Sequence, residues 1–159
     1  GGGLSGLMAQ YGGLASLAGI RLPSGGGGGQ TELLIEIMQS RAFVSAFIEK
    51  YDLAPRLMAI KSYDPVTQTE FMNPEVYDEA TGTWLREAKP PRRAEPSEQE
   101  LYEVFSSALT IQQDKTSPLT SVTFEHLSPK LGEEIVRLIV EEIDDFARVK
   151  DRADSENSI

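Results

Sequence analysis

Few side chains in this sequence have the type and spacing to do chemistry. The carboxylate pairs Glu133-Glu134, Glu141-Glu142 and Asp144-Asp145 are the most numerous candidates. Two carboxyls that face each other across a sugar act as acid and base in glycoside cleavage. Here the pairs follow one another along a single predicted helix, interleaved with Arg137, Arg148 and Lys150, which is the pattern of a solvated helix face. Their spacing matches no calcium loop. His126, the sole histidine, lies beside Glu125. A Ser-His-acid triad needs a positioned nucleophile, and the sequence contains no nucleophile elbow, so His126 reads as a hydrogen-bonded residue at a strand end. The remaining cluster is basic: Arg86, Lys89, Arg92 and Arg93, interrupted by Glu87, following Trp84 and preceding a proline-rich helix entry. It is the candidate contact for an anionic partner or a subunit interface, against the alternative of a connector that pairs with surrounding acids. Trp84 with Tyr77 offers a stacking surface for a sugar ring, although aromatics in a long loop more often anchor that loop to the core.

Composition narrows the function classes. Among 159 residues, 15 are basic and 25 acidic, a net charge of −10, which argues against a general nucleic-acid binder. There is no cysteine, hence no disulfide framework, thiolate metal site or thiol nucleophile. No catalytic, cofactor-binding or metal-ligating set is predicted. Twelve of the 14 glycines fall between Gly1 and Gly29, and residues 1–30 carry a single charge, Arg21. The chain therefore divides into a Gly-rich, weakly ordered segment 1–30 and an α+β domain over 31–159. Gly, Ser and Gln interrupt the uncharged run Gly1–Ile20, which reads as neither a membrane span nor a signal peptide. Leu4, Leu7, Tyr11, Leu14 and Ala18 have the spacing of one helical face, weakened by Gly12, Gly13 and Gly19. The tract Ser24–Gly29 is followed by Gln30 and Thr31 rather than Lys and Ser/Thr, so it reads as a linker and not a phosphate loop.

The elements that position these groups are legible from their start signals. Thr31 is placed to cap a helix over Glu32–Gln39 with Leu33, Leu34, Ile37 and Met38 inward, and Ser40 a second over Arg41–Tyr51. A further turn is predicted over Arg56–Ile60. Lys61–Ala94 lacks helical periodicity; short extended pieces at Val76-Tyr77 and Thr83-Trp84-Leu85 flank a turn at Thr81-Gly82. Ser97 and Glu100 form a capping box ahead of Leu101, Val104, Phe105, Ala108 and Leu109. Leu109–Gln113 and Leu119–His126 read as a hairpin with Val122 and Phe124 on one face. Ser128-Pro129 opens a last helix whose apolar stripe is Leu131, Ile135, Leu138, Ile139, Ile143 and Phe146. The αββα order at the end suggests a split βαβ layer completed by a strand from outside residues 1–30. The last helix has no stop signal, which predicts a fragment of a longer protein.

The run Gly13–Ile20, the Gly-rich tract, and Leu33–Leu53 with Ser40-Arg41-Ala42-Phe43 and Phe47-Ile48-Glu49-Lys50-Tyr51 resemble the bacterial polysaccharide chain-length determinants, or polysaccharide co-polymerases. Asn73-Pro74-Glu75-Val76-Tyr77, Trp84, Pro96-Ser97 with Glu100-Leu101-Tyr102, the hairpin with Asp114-Lys115, and Glu125-His126-Leu127-Ser128-Pro129 extend the likeness over nearly the whole chain. The resemblance implies an inner-membrane protein of a Gram-negative bacterium, with two membrane helices flanking a periplasmic domain. That domain has a membrane-proximal α/β base and a long helical extension. It further implies a ring-shaped homo-oligomer that acts with a separate polysaccharide polymerase, and with the growing glycan chain as a candidate partner, to set the length of O-antigen or a related glycan, without cofactor or catalysis. On this resemblance the chain is most of the base with the start of the long helix. Both membrane helices, the proline-rich region near the second, the first base strand and most of the helical hairpin are then expected elsewhere. The alternative is the periplasmic domain of an exopolysaccharide or capsule co-polymerase linked to a cytoplasmic tyrosine kinase.

Overall fold

The computed structural model describes residues 20–23, 28–117 and 119–157. The architecture is α+β, a small antiparallel sheet packed with helices. Strand β1 (Ile20–Pro23) is followed by helices α1 (Gly28–Gln39), α2 (Arg41–Lys50) and α3 (Ala54–Ala59). Two small hairpins come next, β2 (Ile60–Asp64) with β3 (Thr69–Met72) and β4 (Tyr77–Asp78) with β5 (Thr83–Trp84). Helix α4 (Glu98–Ala108), the hairpin β6 (Leu109–Gln113)–β7 (Leu119–Phe124) and helix α5 (Pro129–Asn157) complete the order.

The main sheet runs β1-β7-β6, antiparallel throughout. Leu109 pairs with Phe124 and Gln113 with Thr120; on the other side of β7, Ile20 pairs with Val122 and Pro23 with Leu119. The third strand therefore comes from within residues 1–30, not from outside them. Pro23 sits on an edge strand, where a missing N–H does not break the sheet. Alternation along β7 buries Thr120, Val122 and Phe124, the face that receives α5.

Leu131, Ile135, Val136, Ile139, Val140 and Ile143 of α5 are buried together with Val122, Phe124, Phe105, Phe47, Ile48, Val44 and Met38. Phe47, Phe105 and Phe124 form a chain of rings with centroids 5.7 and 5.0 Å apart, linking α2, α4 and β7. Val136 and Val140 widen the predicted stripe, whereas Phe146 lies outside the core, 41% exposed. Helix α1 starts three residues before Thr31, which is buried inside it and is not its cap. The predicted amphipathic run Leu4–Ala18 and the tract 24–27 lie outside the described residues.

The caps of three helices follow the sequence. Ser40 Oγ accepts from Phe43 N–H at 3.1 Å, Ser97 Oγ from Glu100 N–H at 3.1 Å, and Ser128 Oγ from Leu131 N–H at 3.1 Å. The β2–β3 hairpin is absent from the sequence reading because a bulge between Ile60 and Ser62 breaks its alternation. Its turn is closed by Asp64 Oδ1, which accepts from Val66 N–H, and by Gln68 at φ 56°.

At Gly132 the helix meets the sheet: a Cβ there would lie 2.6 Å from the Phe124 carbonyl oxygen. Alanine gains about 1 kcal/mol of helix propensity over glycine, but the clash is with backbone and requires α5 to move. Gly132→Ala is expected to destabilise the chain by about 1–3 kcal/mol in urea unfolding, a figure typical of overpacking; a neutral or stabilising result would show that α5 does not press on β7 as described.

Candidate functional site

The basic connector between β5 and α4 does not act as one patch. Arg86 turns inward. Its Nη1 donates to Glu100 Oε2 at 2.7 Å, Nη2 to Glu100 Oε1 at 3.2 Å, and Nε to the Ala94 carbonyl at 2.9 Å. A further bond reaches the Arg93 carbonyl. The Arg86 hydrogen bonds, helped by the Ser97 backbone N–H, hold the Glu100 carboxyl below the usual carboxylate range. Glu100 thus serves both as the cap partner predicted from the sequence and as the anchor of the connector. The Arg86 guanidinium is occupied in fixing this loop and is not available as a partner contact.

Lys89, Arg92 and Arg93 stay exposed. Arg92 N–H donates to the Lys89 carbonyl at 2.9 Å across the cis Pro90–Pro91 bond, which closes a turn. Arg92 and Arg93 border an open cleft of about 550 Å³ whose opposite wall is the start of α4, with Glu95, Gln99 and Glu103. This wall is acidic, so the cleft joins opposite charges on one surface.

The paired acids of α5 are not uniformly solvated. Glu134 Oε2 accepts from Arg56 Nη1 at 2.9 Å, and Arg56 also grips Glu70 with two bonds of 2.9 and 3.0 Å. Ser128 Oγ donates to Glu70 Oε2, so the residue that caps α5 also ties it to the β2–β3 hairpin. Burial pushes the Glu70 carboxyl up, but Arg56 and Ser128 outweigh it and hold it below its ordinary value. Glu142 accepts from both Lys50 Nζ and the Tyr51 hydroxyl, and these bonds likewise lower its pKa. Asp144 and Asp145 pair with Arg148 along the helix. Charge-pair roles between elements, invisible in helix periodicity, require the contact with α2 and α3.

His126 lies between α3 and α5. Its Nδ1 accepts from Ser128 N–H at 2.9 Å, and Nε2 faces the Leu57 carbonyl at 3.4 Å. A neutral ring with its proton on Nε2 satisfies both. Burial pushes the imidazole pKa below its ordinary 6.5, against the pull of these bonds. Among the described residues no side-chain hydroxyl is hydrogen-bonded to it. Among the described residues no group of three or more His, Asp or Glu side chains is arranged to hold a metal ion, and no helix is long and apolar enough to cross a membrane. Comparison with protein-family models, curated proteins and solved structures finds no match for this chain.

The titrations have a definite sign. His126 binds its proton less readily folded than unfolded, so its contribution is complete above about pH 6.5 and is lost on acidification below it. Glu70, Glu100 and Glu142 have depressed pKa values, so their contributions persist to about pH 4.5 and vanish below. Unfolding free energy is expected to fall in two stages as pH drops. In His126→Gln the stage that begins below about pH 6.5 should disappear while the carboxylate stage below about pH 4.5 remains; an unchanged upper stage would contradict the burial of a neutral ring.

Proposed function

We propose that this chain is the base of a polysaccharide chain-length determinant. It is an oligomeric, non-catalytic scaffold that regulates the length of O-antigen or a related surface glycan together with a polymerase. In this reading the domain lies in the periplasm of a membrane-anchored protein and the subunits close into a ring.

The observation that carries the reading is the behaviour of α5. It is 29 residues long, and core burial has already ended at Ile143: Asp145 and Phe146 are exposed. From Asp144 to Asn157 the helix continues for about 20 Å at 1.5 Å per residue. A small α+β base that launches a helix well past its own core matches the base-and-extension layout that the resemblance implies. The sequence motifs supporting that resemblance fall at element boundaries: the caps Ser40, Ser97 and Ser128, and the Asn73 turn, whose carbonyl accepts from Val76 and Tyr77 N–H.

A closed ring needs two different faces on each subunit. Lys89, Arg92 and Arg93 supply an exposed basic ridge, and Glu141, beside the Asp145–Arg148 pair, an exposed acidic position on α5. Opposite charge on separate elements favours a head-to-tail contact between them, weakened by salt. Arg86 is excluded from this contact because it is committed to Glu100.

Deleting the full-length gene in its host should convert a modal cluster of surface glycan bands into an unmodulated ladder. Re-expression should restore the cluster, and the Arg92→Glu, Arg93→Glu variant should restore it poorly. A ladder that is the same with and without the gene, for every surface glycan, would overturn the reading; full restoration by the variant would overturn the interface.

A further inference from the structure

The aromatic pair Tyr77–Trp84 does not anchor its loop to the core. Neither ring belongs to the hydrophobic cluster or to the side chains packed against it. The two residues are direct cross-strand partners in the β4–β5 hairpin, so their side chains share one face. Their rings meet at 4.7 Å with a 58° tilt. Such a short hairpin is marginal by itself. It is held by Gly82, whose φ of +69° a side chain would strain, by Asp78 Oδ1 accepting from Ala80 N–H, and by Leu85 N–H donating to the Val76 carbonyl. Considerable local structure therefore goes into presenting two half-buried rings away from the core.

Against these rings lies a cleft of about 520 Å³, open to solvent and completed by Asp52, Pro55, Thr83 and Glu95. That volume is in the range of small-ligand sites. Among the described residues neither the Asp52 nor the Glu95 carboxylate has a hydrogen bond or ion pair, and the Trp84 indole N–H has no acceptor. Asp52 sits at φ 49°, in the left-handed region, at the end of α2. The cleft thus combines an aromatic platform, unengaged carboxylate acceptors and an unengaged donor. A pyranose ring offers a C–H face to stack and hydroxyls to donate to carboxylates. The acidic lining and the net charge of −10 disfavour uronic or other anionic sugars. The rings touch each other and leave an open platform; they do not enclose a cage of the kind that grips a quaternary ammonium.

We infer that the cleft between the β4–β5 hairpin and the α2–α3 corner binds a neutral saccharide, stacked on Trp84 and hydrogen-bonded to Asp52 and Glu95. This goes beyond the chain-length reading and does not need it, since binding is a property of the isolated chain whether or not glycan length changes in the host.

Trp84 is the sole tryptophan, so its emission reports this cleft alone. The chain would be titrated with maltohexaose, mannohexaose and a neutral β-1,4-galactan oligomer, with oligogalacturonate and choline as controls. A saturable emission change is expected with at least one neutral probe and with neither control. Asp52→Asn should weaken it about fivefold, the difference between a charged and a neutral acceptor. Asparagine tolerates the left-handed backbone, so this variant keeps the fold. Glu95→Gln, on the exposed opposite rim, should do the same. No saturable change with any neutral probe, equal response to oligogalacturonate or choline, or unaltered affinity in both variants would overturn the inference.

Discussion

The close contact of α5 with β7 is the constraint on which the rest of the molecule depends. Gly132 allows the helix backbone to lie against the Phe124 carbonyl, and that approach brings Leu131, Ile135, Val136, Ile139 and Val140 into the core at 0–1% exposure. Each such side chain contributes about 1.5–3 kcal/mol by burial. The ion pairs around it work in a different way. Arg56 and Glu70 retain 26% and 14% side-chain exposure, and their attraction is offset by desolvation. Burial therefore holds α5 down, while the Arg56–Glu70–Glu134 set and the Ser128 hydroxyl fix where along the helix it begins.

The same arrangement explains where the molecule keeps its unengaged chemistry. Inward-facing polar groups are nearly all committed: His126 to Ser128 and Leu57, Glu142 to Lys50 and Tyr51, Arg86 to Glu100. Accessible polar groups are found on the connector from β4 to α4, among other exposed positions. The connector carries both the basic ridge and the Trp84 cleft, held in place by the Arg86 clasp at one end and the Asn73 turn at the other.

Elements with strong local signals could be read from the chain. The serine caps at 40, 97 and 128, the period of Leu101, Phe105 and Ala108, and the alternation of Val122 and Phe124 are each set by backbone chemistry within a few residues. The β4–β5 hairpin was equally legible, since Gly82 marks its turn. The rest depended on distant contacts. Ile20–Pro23 has no strand signature of its own and becomes a strand through pairing with β7. The β2–β3 hairpin is hidden by its bulge, and α1 reaches back into glycines of poor helix propensity. At the site, the sequence grouped Arg86 with Lys89, Arg92 and Arg93 by charge; its inward turn follows from Glu100 being one helical turn inside α4. The core role of Tyr77 and Trp84 expected for loop aromatics gives way because their cross-strand pairing turns them onto each other.

Hydrogen exchange along α5 tests the central claim, that the first half of this helix is the keystone of the core and that the helix has left the core by Phe146. Amides from Ile135 to Ile143 should exchange only with global unfolding, and amides beyond Phe146 orders of magnitude faster, with the break near Asp144. Protection that is uniform to the end of α5 in the isolated chain, or that is lost before Ile139, would contradict the account.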